Sequence, residues 1–101
     1  MLDAPTLRRM VARLAGELPV KGCRVRVRRS AQVMIHHERV AASASRTGRV
    51  WTITIDAGLS RGELVDALIH EWAHAHSGDL THSARWGRSY AAAYRAFHGT
   101  A

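Results

Sequence analysis

Apolar residues recur at helical spacing over residues 5–18, where Leu7, Met10, Val11, Leu14 and Leu18 form a stripe with Arg8, Arg9 and Arg13 off it. This pattern predicts an amphipathic helix, ended by Pro19, whose ring cannot continue it. In CRVRVRR the period changes to two. Cys23, Val25 and Val27 alternate with Arg24, Arg26 and Arg28, which predicts a strand with one buried and one wet face. Residues 33–35 fit either a second short strand or an irregular connection. Residues 40–45 and 50–56 predict a hairpin around Arg46-Thr47-Gly48, because VWTITID is rich in β-branched and aromatic residues. The expected sheet is small, with three or four strands, and mostly antiparallel.

The second half of the chain is helical by pattern. Ser60-Arg61-Gly62-Glu63 is a capping box, and the helix it starts should run over residues 61–77 and close at Gly78. On that helix Leu64, Leu68, Trp72 and Ala75, with Val65 and Ile69 beside them, form the face that must pack on the sheet. Ser83 can cap a last helix with the stripe Trp86, Tyr90, Ala93, Tyr94 and Phe97, ending at Gly99. These elements define an α+β class and a single domain over residues 1–101.

Composition narrows the chemistry. A lone cysteine, Cys23, excludes an internal disulfide and a Cys-x-x-Cys zinc ribbon, so any metal must be held by histidines and carboxylates. No apolar run reaches membrane-spanning length, and MLDAPTLRR lacks the order of a secretory signal. The expectation is a cytoplasmic protein of a bacterial or phage-infected cell, with no membrane partner. The formal charge of +7 favours acidic partners, DNA among them. Arg24, Arg26, Arg28 and Arg29 form a basic strip that could hold phosphates or could equally be a wet strand face.

The chemistry concentrates in HEWAH. His70 and His74, four apart on a helix, stack one turn above the other and point away from the core stripe, so both imidazoles can converge on one ion. Glu71, one position round, reaches a ligand of that ion instead of the ion itself. This is the donor arrangement of a catalytic zinc site with Glu71 as general base. The third ligand could be His76, Asp79, His82 or His98. His76 projects from another side of the helix and suits a position behind the ligands, Asp79 is an acidic loop residue, and His98 lies at the far end of the last helix. His82 fits best, because it follows a glycine-containing turn at the start of the next helix.

The segment HEWAHAHSGDLTHSARWGRSYAAAYRAF resembles the core of the SprT/Spartan-like zinc metallopeptidases, in particular small single-domain phage and bacterial forms. In that family the His-Glu-x-x-His helix is followed by His-Gly-x-x-aromatic at the start of the next helix, and that histidine is the third zinc ligand; His82 and Trp86 occupy these positions. The resemblance covers residues 50–97, the earlier half only by architecture. It implies a minimal zincin-like fold, Zn²⁺ as cofactor, peptide-bond hydrolysis, and DNA-associated proteins as a substrate class. Two departures stand out: Ser83 replaces the usual Gly, and Arg85 stands where an acidic residue is common. Other His-Glu-x-x-His classes fit less well. The metzincin spacing sets its glycine and third histidine closer than Gly78 and His82 lie to His74, and no glutamate follows Glu71 as a thermolysin-like site would require.

Further residues carry competing roles. Asp66, one turn before His70, could orient that imidazole or be an ordinary exposed helix carboxylate. Trp86 and Tyr90 could wall the cleft or stabilise an oxyanion, although their stripe with Tyr94 and Phe97 points to packing. His36 and His37, if on a strand, would face opposite ways. The rival to a peptidase is a zinc-stabilised nucleic-acid-binding module without turnover.

Overall fold

The computed structural model describes residues 4–99, and its elements run in the order helix α1 (Ala4–Glu17), strand β1 (Arg24–Ser30), strands β2 (Met34–Ile35) and β3 (Glu38–Arg39), strands β4 (Ala42–Thr47) and β5 (Val50–Asp56), and helices α2 (Arg61–Ser77) and α3 (Ala84–His98). Periodicity located all three helices and the three long strands. No helix among the described residues is long and apolar enough to cross a membrane.

The sheet departs from the mostly antiparallel expectation. Its order is β1-β5-β4, with β1 parallel and β4 antiparallel to the central β5. The chain leaves β1, passes through the separate β2–β3 ribbon, returns along the far edge as β4 and then inserts β5 in the middle. Alternation along a strand records which side is buried and is blind to the direction of its neighbour, so the parallel pairing had no signature. The β4–β5 turn is also shorter than expected: Thr47 pairs with Val50, leaving Gly48 and Arg49 as a two-residue loop with Gly48 at φ 61°. His36 and His37 are not strand residues. They form the turn of the β2–β3 ribbon, both with positive φ, 51° and 65°.

The two faces of the sheet are chemically opposite. Ile53 and Ile55 of β5 are buried in one cluster with Leu64, Leu68 and Trp72 of α2 and Leu7, Met10 and Leu14 of α1, and Trp51 is buried on the same side of β5. On the other face Arg24, Arg26 and Arg28 lie beside Val50, Thr52 and Thr54, which in turn lie beside Thr47, Ser45 and Ser43. Arg29 leaves the predicted basic strip, because it pairs with Ile55 on the inner side and lines a groove with Leu7 and Val27. Helix α2 is buried on more sides than one stripe would require, with Ala67, Ala73, His74 and Ser77 buried as well as the sheet-facing residues. It packs on β4 and β5 on one side and on α3 on another. Trp72 secures the α1 end, its indole N–H donating to the Leu18 carbonyl at 2.9 Å.

Asp56 ends the central strand and is buried at 2% exposure. Its carboxylate accepts from Arg39 Nε at 2.7 Å and Nη2 at 3.0 Å, and from the Gly58 N–H at 2.8 Å. The Arg39 hydrogen bonds, then that from Gly58, hold its pKa down to about 2 from the ordinary 3.8. A depressed folded pKa stabilises the protein above the unfolded value and loses that contribution as pH falls through the folded one. Stability should therefore decline as pH drops from 3.8 to about 2. Urea unfolding of Arg39→Gln across that range should show a shallower acid dependence and a lower stability at neutral pH.

Candidate metal centre

The capping box at the start of α2 is present in full: Glu63 N–H donates to Ser60 Oγ at 3.3 Å and Ser60 N–H to Glu63 Oε1 at 3.0 Å. This fixes the phase with which α2 presents His70, Glu71 and His74. At the other end Gly78 takes the left-handed conformation, φ 70°, and its N–H donates to the His74 carbonyl at 3.0 Å. The chain reverses there and runs directly into the segment that delivers His82.

The three imidazoles converge. Ring centroids of His70, His74 and His82 are 5.1, 5.0 and 5.1 Å apart pairwise, and one ligand nitrogen from each lies within 4.8 Å of the others. His70 Nε2 and His82 Nε2 are 3.1 Å apart. Nitrogens held about 2.0–2.1 Å from a tetrahedral ion would sit at about 3.3 Å, so the His70–His82 pair has the spacing of two ligands on one ion, and the third imidazole lies close enough to join them. His74 is buried, His70 half-buried and His82 exposed, so the triad is open on the His82 side. Burial, followed by the neighbouring His74 and His82, lowers the His70 pKa and favours the neutral form that ligates.

The support behind these ligands comes largely from the loop. His74 Nδ1 is 2.8 Å from the Asp79 carbonyl, so the tautomer that donates there leaves Nε2 for a metal. The Asp79 carboxylate accepts from Thr81 N–H at 2.8 Å, from Thr81 Oγ1 at 2.7 Å and from Ser83 Oγ. Led by Ser83 and Thr81, these bonds hold its pKa down to about 2. Ser83 also accepts from Trp86 N–H at 3.2 Å as the cap of α3. Asp79, one of the four candidate ligands, is therefore placed behind His74 through its backbone. The Trp86 ring lies 5.0, 5.5 and 4.6 Å from His70, His74 and His82, and its N–H approaches the His70 carbonyl at 3.4 Å.

Other sequence-predicted residues fall nearby or elsewhere. His76 lies on another side of α2, with Nδ1 2.8 Å from Ser89 Oγ, away from the triad. His98 stacks on Tyr94 with centroids 4.4 Å apart. Asp66 and Tyr90 line, with His70 and Glu71, a cavity of about 730 Å³, and among the described residues no hydrogen bond joins Asp66 to His70. Glu71 is buried at 7% exposure, and burial pushes its carboxyl up to about 7. Sequence reasoning missed the Asp79 carbonyl and Thr81. Only the short polar run Asp79 to Ser83 hinted at a hydrogen-bonded turn.

No family model matches the chain, and no curated protein or solved structure matches it significantly. What the site can do therefore rests on its own geometry. If the Asp79–Ser83 clamp orients His74, Ser83→Ala should weaken metal binding by roughly 10-fold, since partners behind a ligand are worth about 10–100-fold. Competition against a chromophoric chelator measures this, and an unchanged affinity would remove Ser83 from the site.

Proposed function

We propose that the chain is a zinc-dependent peptidase of the SprT-like kind, with His70, His74 and His82 as metal ligands and Glu71 as general base. The observation that carries this reading is the convergence of three imidazoles, of which His70 lines a cleft together with Glu71. A purely structural zinc site closes its coordination with a fourth protein ligand, whereas three histidines leave a position for water or substrate. Zinc is favoured over harder cations because every donor in the cluster is an imidazole nitrogen.

A zinc ion in the triad supplies Lewis acidity, lowering the pKa of water to about 7 and polarising a carbonyl. The remaining steps belong to the chain. Glu71 accepts a proton from the attacking water at a carboxylate oxygen and returns it to the departing amine, so that the C–N bond breaks as the water oxygen joins the carbonyl carbon. Burial raises the proton affinity of this carboxylate, which suits it to take up and pass on a proton. Tyr90 faces the cleft from α3, where its hydroxyl is available to a developing oxyanion. Ala41 and Ala42 border the same cleft at the start of β4, which is an edge of the three-stranded sheet. An extended peptide can add to that edge by main-chain hydrogen bonds and so cross the site in a fixed direction.

Glu71→Gln should keep full zinc content and lose peptide hydrolysis by at least roughly 100-fold, the scale of a removed general base. His82→Ala should lose zinc. Zinc stoichiometry with a quenched-peptide assay tests both, and unaltered turnover by Glu71→Gln would sink the mechanism.

A second reading, a zinc-stabilised module that binds nucleic acid, is favoured by the row of Arg24, Arg26 and Arg28 on the open sheet face. Residues two apart on a strand lie about 6.6 Å apart, so the row presents regularly spaced cations, and the flanking Thr and Ser hydroxyls can donate to phosphates. This face also suits a peptidase acting on DNA-associated proteins. Replacing all three arginines by Gln should reduce the salt dependence of duplex binding by about one unit of slope for each phosphate that is no longer neutralised. Binding that persists unchanged in the triple variant would remove the face from consideration.

A further inference from the structure

The cavity beside the triad is acidic in a strongly basic protein. Its charged lining consists of Glu63, Asp66 and Glu71, three of the chain's 8 acidic residues, and none of the 15 Lys and Arg lines it. Against a net charge of +7, this is a local reversal of sign. Glu71, nine-tenths buried and without a hydrogen-bond or ion-pair partner among the described residues, opens on the cavity. Glu63 has one carboxylate oxygen committed to the Ser60 N–H. Asp66 is exposed and carries no hydrogen bond or ion pair among the described residues, so its charge is uncommitted as well.

Position adds to charge. Glu63, Asp66, Ala67 and His70 follow one stripe of α2, so Asp66 stands one turn, about 6 Å, before the first imidazole. An extended peptide advances about 3.3 Å per residue, which puts a side chain one or two residues from the scissile bond within reach of Asp66. Facing α2 across the cavity, the Tyr90 and Tyr94 rings lie 6.5 Å apart at 31° to each other. Aromatic faces accommodate the long aliphatic stem of Arg or Lys and attract its cationic head, and a carboxylate beyond them pairs with that head.

From this we infer that the cleft selects substrates carrying arginine or lysine one or two residues from the scissile bond, with Asp66 reading the charge. The inference rests on the peptidase reading for the use of the cleft, and its sign opposes the bulk electrostatics. A protein of charge +7 steers acidic peptides toward itself, so a preference for basic ones must originate in the cleft.

The test uses the zinc-loaded full chain and matched quenched peptides that differ only in Arg, Gln or Glu beside the scissile bond. Wild type should turn over the Arg peptide roughly 10-fold faster in kcat/KM than the Glu peptide, Asp66→Asn should narrow the gap, and Asp66→Lys should reverse it. Equal rates, or an order unaffected by Asp66→Lys, overturn the inference while leaving the peptidase reading intact. Failure to cleave any peptide overturns the peptidase reading instead. Binding then decides charge selection: zinc-loaded Glu71→Gln, titrated with the same peptides and followed by tryptophan fluorescence, should bind the Arg peptide more tightly. That preference should vanish when Asp66→Lys is added, and equal affinities overturn the inference.

Discussion

His74 Nδ1 lies 2.8 Å from the carbonyl of Asp79, and that bond depends on the left-handed turn at Gly78. A helix that ended in extended backbone would carry residue 79 away from the last turn. With φ at 70° the chain folds back over the last turn, where Gly78 and Asp79 N–H groups both reach the His74 carbonyl, at 3.0 and 3.3 Å. The same reversal delivers His82 to His70 and His74. One backbone conformation, which glycine adopts without strain, thus orients one imidazole of the triad and supplies another. The Asp79 carboxylate then ties the loop to the α3 cap through Ser83, so the closing helix and the reversal are fixed together.

Helix α2 must serve as the central core element and as the carrier of polar groups. Leu68 and Ile69 are fully buried, yet Glu71, His74 and Ser77 are buried on the same helix. Placing a carboxyl in such surroundings disfavours its charged form, which is the cause of the raised Glu71 pKa. His74 is compensated through Asp79, and Ser77 Oγ donates to the His74 carbonyl at 3.3 Å. Glu71 has the open cleft on one side, and a divalent cation in the triad would favour its carboxylate. The burial that stabilises the helix is therefore also what tunes the group beside the three imidazoles.

Much of this was legible in the chain because local chemistry wrote it there. Ser60 and Glu63 announced the start of α2, Gly78 its end, and Ser83 the start of α3. The four-residue spacing of His70 and His74 gave a shared helix face, and the short gap to His82 made the third imidazole reachable. What stayed hidden was long-range or carried by backbone. The parallel β1–β5 pairing joins strands separated by the whole β2–β4 segment, and no side-chain pattern distinguishes it from an antiparallel pair. Residue type groups Arg29 with the basic strip, whereas the period of two puts it on the side of Val25 and Val27, and its pairing with Ile55 bears this out. The Asp79 carbonyl could not be read at all, since every residue has one.

The distribution of charge follows the same two-sided architecture. Arg24, Arg26 and Arg28 occupy the wet face of the sheet, and further arginines lie on the helices, while the cleft on the helical side collects Glu63, Asp66 and Glu71. The molecule measures 31 × 29 × 22 Å, whereas mobile ions screen exposed charges beyond about 8 Å at physiological salt. Fields from the two sides therefore overlap only weakly at the surface of each. Net charge acts on approach from a distance, chiefly at low salt, whereas cleft carboxylates act only within contact range. A chain this basic can thus attract polyanions with one face and accommodate cations in its cleft. For a peptidase, that combination would draw the protein to acidic assemblies while directing the cleft at basic segments held on them.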